Sequence, residues 1–443
     1  MRNYGKIEEI RMKNIVPEWF TKTSVYQINP RTFSAEGTVK AVTKELPVLA
    51  ELGFGVMYLC PIFKEDASTD KANWSIRQLA SETENPKNPY RMDDYFTIDE
   101  EYGTMDDLRE FVSAAHGLGL RVILDLVYLH IGPNAEILKS HPEFAMRNDD
   151  GSVKLTYWRF PFLNYKSEGL REYLWCNMTY YVGVIGVDGF RCDVGDDVPL
   201  DFWKEGKRRI RAIKPDAIMI NEGARADSYE AFDANYGFSW HENIFSVLQG
   251  KLPVADFIAD YEDKSAKYGG GLVLRDMDNH DTVTDWPYRV EEHFGGDCME
   301  MVLAMNYSVD GVPMVYCGNE LADKTRLSMF ANRFHPGKFS ATDRSVTGEA
   351  TEKRKRVVTL LNGLKKSNPV LQRGKTEWLA PKGSVVALNR TLEGKTVTFV
   401  GNISGEPSDY SVDARGKVLL SNNAEPKDDA VVLGGYGYVI IEK

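Results

Sequence analysis

Eight short apolar runs, spaced by polar or helix-patterned segments, constrain this 443-residue chain more than any other feature of it. They stand at residues 24–28, 55–60, 121–127, 187–193, 217–221, 234–238, 271–276 and 312–316. Runs of that length without polar alternation are what strands covered on both faces show. Between most of them, as at 39–52 and 105–118, apolar residues recur at helical spacing. Such alternation predicts the α/β class and a closed parallel (β/α)8 TIM barrel. Two connections, 61–104 and 131–163, are too long for ordinary loops. The second predicts a short inserted subdomain after the third strand. After a helix over 351–366 and Asn368-Pro369, short alternating runs with turns predict a C-terminal antiparallel β domain. The barrel is thus 1–130 with 164–369, the insert 131–163 and the β domain 370–443.

A net charge of −11 argues against nucleic acid or an anionic membrane as the main partner, since both reward basic surfaces. The basic run Lys353-Arg354-Lys355-Arg356 opens an amphipathic pattern through Val357, Leu360, Leu361 and Leu364, and reads as a solvated helix face. Cys60, Cys176, Cys192, Cys298 and Cys317 are odd in number and without metal-ligand spacing, which suits reduced thiols. The first twenty residues show no apolar leader core, and no stretch is long enough to span a bilayer. A cytoplasmic location follows, provided no leader has been removed.

Barrels of this kind carry their chemistry where the strands end. Asp125, Asp193, Glu222 and Asp281 all fall at or just past such ends. Arg191 and Asp193 lie two apart on a strand and so share a face. A guanidinium there is expected to hold the carboxylate ionised, by about 1–3 pKa units. Convergent carboxylates serve either a divalent metal or glycoside hydrolysis, which needs one ionised and one protonated carboxyl. A cationic Arg191 would compete with a metal, and His280 beside Asp281 is a donor suited to hydroxyl groups. Glu222, crowded by two anions, is expected to have a raised pKa, as a proton donor requires. Asp125 reads equally well as a purely structural acid.

These pieces stand in a recognisable order. They are Asp125-Leu126-Val127-Tyr128-Leu129-His130, Gly189-Phe190-Arg191-Cys192-Asp193, Asn221-Glu222-Gly223 and Asn279-His280-Asp281, with Asn88-Pro89-Tyr90 before them and Gly311-Val312-Pro313 after. Over essentially its whole length the chain resembles the α-amylase superfamily of retaining glycoside hydrolases. The resemblance implies that Asp193 is the nucleophile, Glu222 the acid/base and Asp281 the transition-state stabiliser. It implies substrate-binding roles for Tyr90, which would stack beneath a sugar ring, and for His130, His280, Arg191 and Asp125. Retention further implies that the Asp193 and Glu222 carboxyls lie about 5–5.5 Å apart.

Two positions depart from the family pattern. Leu129 stands where an Asn usually precedes the first His, and Asp196-Asp197 stand where Lys-His often closes the second motif. Leu cannot ligate calcium, which wants oxygen donors, so no cofactor and no structural calcium are expected. Two acids at 196 and 197 imply an altered acceptor preference. The expected activity is retaining hydrolysis of α-glucosidic bonds in an oligo- or polysaccharide α-glucan. A transglycosylase, a sucrose- or trehalose-acting relative, and a catalytically inactive sugar-binding scaffold are the rivals. Trp158, in the insert, reads either as a sugar platform or as part of the insert's core.

Overall fold

The computed structural model describes residues 16–335, 337 and 339–443. Most of the polar N-terminal stretch, residues 1–15, lies outside the described residues, so the reading of a missing leader core falls largely there. Eight parallel strands close into a barrel: β1 (Val25–Ile28), β2 (Val56–Leu59), β3 (Arg121–Leu126), β4 (Gly189–Cys192), β5 (Ile218–Asn221), β6 (Ala234–Asn235), β7 (Leu272–Arg275) and β8 (Val312–Tyr316). β8 pairs back onto β1, with Val25 opposite Met314.

Strand parity explains how the barrel is both packed and reactive. Val25, Val56, Ile123, Ile218, Ile220, Val312 and Met314 point inwards and form one buried apolar cluster that fills the lumen. The next residue on the same face, towards the carboxyl ends, is polar: Gln27 after Val25, Asp125 after Ile123, Arg191 after Gly189, Glu222 after Ile220. The plug therefore turns from aliphatic to ionic at one mouth. Gly189 is required where β4 crowds β5, because a Cβ there would lie 2.1 Å from the Ile218 carbonyl oxygen.

The covering helices are α1 (Val39–Glu51), α2 (Met105–Gly117), α3 (Glu168–Tyr180), α4 (Leu200–Ile213), α5 (Phe238–Leu248), α6 (Val254–Tyr268), α7 (Gly296–Ser308) and α8 (Glu349–Ser367). α2 starts at a reciprocal cap in which Thr104 accepts from the Asp107 backbone and Asp107 accepts from that of Thr104. The alternation fails once. Only a short turn, Asp227–Glu230, separates β5 from β6, which leaves β6 two residues long and its apolar signal weak.

The basic run needs correcting. Arg354 is buried against Glu291, 2.7 Å away, while Leu360 is about half exposed. The inward face of α8 carries Arg354, Val357, Val358, Leu361, Asn362 and Lys365, so the face is phased differently from the solvated stripe expected.

Residues 131–163 fold back through isolated antiparallel bridges, His130 to Phe162, Ala145 to Leu163, Arg147 to Val153 and Leu155 to Pro161. Beyond α8 an antiparallel sheet runs β9 (Lys375–Trp378), β10 (Val385–Leu392), β11 (Lys395–Asn402), β12 (Ser408–Ser411), β13 (Lys417–Lys427) and β14 (Ala430–Glu442). One face, through Val386, Leu388, Val397, Phe399, Tyr438 and Ile440, joins the main core of the barrel. The other buries Val385, Ala387, Val400, Val439 and Ile441 in a cluster of its own. Among the described residues, no helix is long and apolar enough to cross a membrane. Cys60, Cys192, Cys298 and Cys317 are buried free thiols, and Cys176 is exposed.

Candidate active site

The ionic mouth of the barrel centres on Arg191, which is fully buried. Its Nη1 donates to Asp125 Oδ1 at 2.7 Å and to Asp193 Oδ1 at 2.8 Å. Its Nη2 lies 2.7 Å from Glu222 Oε1. Three carboxylates from three adjacent strands thus share one guanidinium. Protonating one of them relieves both the burial of charge and the repulsion.

The pKa directions follow from this crowding. Burial and then the Glu222 charge push Asp193 well above the usual carboxylate range, against the pull of Arg191. Burial likewise raises Glu222, with Arg191 opposing and Asp281 adding to the rise. The expectation that Arg191 would by itself keep Asp193 ionised is therefore corrected. The guanidinium is in place, but desolvation and a second carboxylate outweigh it. For Glu222 the direction is as expected, although burial rather than crowding is its main cause.

A strained turn fixes the spacing of the dyad. Val194 sits in the left-handed region at φ 43°, costly for a β-branched residue. The turn aims the Val194 N–H at Glu222 Oε2, 2.7 Å away, and the Gly195 N–H at the Glu222 carbonyl, 3.1 Å away. The turn that follows Asp193 therefore holds Glu222 by side chain and backbone together. Asp196 secures it from the far side. Its Oδ1 accepts from Asn221 Nδ2 at 2.8 Å, and its Oδ2 from the backbone N–H groups of Ala224 at 2.7 Å and Arg225 at 3.1 Å. Of the two acids at the altered motif, Asp197 is exposed, and the half-buried Asp196 is a clamp on the β5 loop.

Asp281 lies in the first turn of the short helix His280–Asp285, capped by Asn279. Burial would raise its carboxyl, but His280 and the Arg77 guanidinium outweigh that and hold it below the ordinary range. His280 is oriented from both sides. Gln27 Nε2 donates to its Nδ1 at 2.9 Å, so its Nε2–H points at the Tyr90 hydroxyl, 2.6 Å away. Tyr90 in turn donates to Asp125 Oδ2 at 3.0 Å and lies nearly parallel to the His280 ring. Burial lowers the pKa of His130 to about 4. It is thus neutral, its Nε2–H given to the Tyr90 carbonyl at 2.8 Å, which leaves a buried, unpartnered acceptor at Nδ1.

A pocket of about 60 Å³ opens above these groups, lined by Asp193, Glu222, Asp281, His280, His130 and Tyr90, with Ser75, Arg77, Asn88, Trp158, Phe160, Val194, Met329 and Phe330 completing the wall. Trp158 faces the pocket, and Phe160 is its buried neighbour in the insert. Asp125 does not line this pocket. Both its oxygens are engaged by Arg191, Tyr58 and Tyr90, so the structure places it as a buried anchor and not on the substrate face. Arg191 likewise lies beneath the pocket floor, touching the acids and not the cavity.

Leu129 is buried in the apolar core and offers no oxygen from its side chain. Among the described residues, no cluster of three or more His, Cys, Asp or Glu could hold a metal ion. Among the residues around the site that were not singled out from sequence, four hold its charged groups in place. Gln27 had a signal: a lone polar residue near the end of an otherwise apolar strand. Val194 followed a candidate acid directly, Asp196 was read only for its charge, and Arg77 lay in a polar connection with nothing to mark it.

The family description "Alpha amylase, catalytic domain" matches residues 14–150. The chain is similar to a cyclomaltodextrinase from Bacillus sp, 28% identical over 366 residues that cover 69% of this chain and 60% of that protein. It is also similar to a maltogenic alpha-amylase from Bacillus acidopullulyticus, 25% identical over 457 residues covering 89% of this chain and 71% of the relative. The chain thus spans 60% of the length of the first of these. In fold it resembles the crystal structure of an alpha-amylase from Lactobacillus plantarum, with a TM-score of 0.80 at 22% identity, over 96% of this chain and all of that one.

Proposed function

We propose that this chain, which belongs to the α-amylase superfamily of glycoside hydrolases, hydrolyses α-glucosidic bonds in α-glucans or maltooligosaccharides by a retaining double displacement. The observation that carries the reading is the meeting of Asp193 and Glu222 on one guanidinium, with Asp281 across the same pocket. Asp193, with one unpartnered oxygen, attacks the anomeric carbon and forms the glycosyl–enzyme. Glu222 gives its proton to the leaving oxygen and later takes one from the incoming water. Asp281, held ionised by its neighbours, binds sugar hydroxyls and stabilises positive charge at the transition state. His130, through its bare Nδ1, accepts from a hydroxyl, and Tyr90 offers a ring face to the sugar. Arg191 and Asp125 act beneath the pocket and set the charge and position of the acids.

Neither a cofactor nor a structural calcium enters this reading. Leu129 supplies no ligand where the family pattern has Asn, and the Leu129 carbonyl is taken by the Leu163 N–H at 3.1 Å. Buried free thiols favour a reducing compartment such as the cytoplasm. The test is NMR of the first product formed from maltoheptaose. The α-anomer appearing before mutarotation supports retention. The β-anomer, or no turnover of any α-glucan, refutes the proposal.

A further inference from the structure

The pocket is unequally open, and the asymmetry bears on which end of a glucan enters it. On the Asp281 side three connections are fastened together. Arg77, from the loop after β2, reaches the helix after β7, with Nη2 2.6 Å from Asp281 Oδ1 and 2.8 Å from Asp285 Oδ2, and Nε 3.1 Å from Asp285 Oδ1. The same loop is stitched to the loop after β8, where Asn85 Nδ2 donates to the Ala331 carbonyl at 2.8 Å and Asn332 Nδ2 to the Thr83 carbonyl at 3.0 Å. The loop after β8 is in turn tied to the helix after β7, the Met329 N–H donating to Thr284 Oγ1 at 3.1 Å. Met329 and Phe330 then close the wall. On the Glu222 side residues 224–227 and Asp197 are exposed, and the ties made there by Asp196 join only the neighbouring loops after β4 and β5.

In the proposed reaction Glu222 protonates the leaving oxygen, so the departing part of the chain lies on the open side. The sugar that bonds to Asp193 lies on the blind side, against Arg77. We propose that Arg77 caps this blind end, so that the enzyme takes α-glucan chains by their non-reducing terminus and acts as an exo-hydrolase. A chain continuing past the terminal sugar would have to displace the guanidinium from both Asp281 and Asp285. Arg77 thus determines specificity, and as the counter-ion of Asp281 it also positions that carboxylate. The inference rests on the activity proposed above, and its test separates the two.

The test compares three glucans: maltoheptaose tagged at its reducing end, the same compound blocked at the 4- and 6-hydroxyls of its non-reducing sugar, and a cyclomaltoheptaose, which has no end. The wild-type protein is expected to shorten the first and to act on the other two at least about a hundredfold more slowly. Arg77→Ala is expected to narrow that ratio at least about tenfold, whatever it does to the absolute rate. Asn332→Ala leaves both Arg77 and Asp281 in place, loosens the same wall, and is expected to narrow the ratio too; it decides the matter should Arg77→Ala lack turnover. Equal wild-type rates on all three glucans, or a ratio unmoved in the variants, overturn the cap while leaving hydrolysis intact. No turnover of the open-ended chain removes the proposed activity and the cap with it.

Discussion

Replacing Arg191 with Met tests the electrostatic core of the site most directly. The guanidinium touches Asp125, Asp193 and Glu222 at 2.7–2.8 Å and has no solvent exposure. Removing one partner of a buried ionic group costs about 3–5 kcal/mol, because the remaining charges are left desolvated. For 443 residues the unfolding entropy is about 0.9 kcal/mol/K, so a loss of about 4 kcal/mol lowers the melting midpoint by about 4 °C. The kinetic consequence has a definite sign. Burial and Glu222 already raise Asp193, and Arg191 opposes them, so its loss lifts Asp193 further. In the proposed reaction Asp193 must be ionised to attack, so the acid limb of kcat/KM is expected to move to higher pH, and each unit of movement costs about tenfold on that limb. Adding Asp125→Asn removes one of the stranded charges and should restore more than about 1 kcal/mol, a coupling of the size neighbouring groups show. The assays are thermal denaturation and the pH dependence of maltooligosaccharide hydrolysis. A midpoint within 1 °C of wild type together with an unmoved acid limb would refute the shared-counter-ion argument.

Three further substitutions probe the remaining parts. Glu222→Gln should lower kcat by about 10²–10⁴-fold and abolish the alkaline limb, since the raised carboxyl must be protonated to act as acid, while calorimetry still detects oligosaccharide binding. Val194→Asn should raise the melting midpoint by about 1 °C, because Asn tolerates the left-handed backbone that strains Val; a lower midpoint would show that the turn stores no strain. Asp196→Ala removes one of two acceptors of the Asn221 amide and the acceptor of two backbone N–H donors, so the midpoint should fall by about 1–3 °C. Its kcat should fall with KM little changed, and an unaltered kcat would remove Asp196 from the positioning of Glu222.

The barrel was legible because its strands are buried on both faces and therefore read as bare apolar runs, and because the acids follow those runs at fixed parity. β6 was only faintly legible, since a two-residue strand leaves almost no pattern. β13 left none, because alternate residues along it are half exposed and its composition is polar. The face of α8 was misjudged for a related reason: charge suggested solvent, but Arg354 finds Glu291 and Glu300 inside the fold and buries with them. In the site, the residues that bear charge at strand ends were visible one by one. Their partners were not, because pairing across loops is a property of the closed fold. Arg77 is separated from Asp281 by 204 positions. Asp125 shows the converse. Its place at a strand end marked it for the site, but Tyr58, Tyr90 and Arg191 use up its oxygens before any ligand can reach them.

The pairing also determines what the site can stabilise. Five carboxylates, Asp125, Asp193, Glu222, Asp281 and Asp285, face two guanidiniums, those of Arg191 and Arg77. Burial raises both members of the Asp193–Glu222 pair, so protonating one of them relieves the crowding. Carboxylates thus outnumber guanidiniums around the pocket, a costly arrangement for the resting protein and a favourable one for a passing cation. An oxocarbenium-like sugar carries the positive charge that this excess favours. A third guanidinium at this mouth would reduce that excess and weaken its attraction for the transition state. Without Arg191, which opposes the rise, Asp193 would be pushed higher still and its ionised form disfavoured. The ratio of acids to guanidiniums, more than any one residue, therefore suits the pocket to glycosyl transfer.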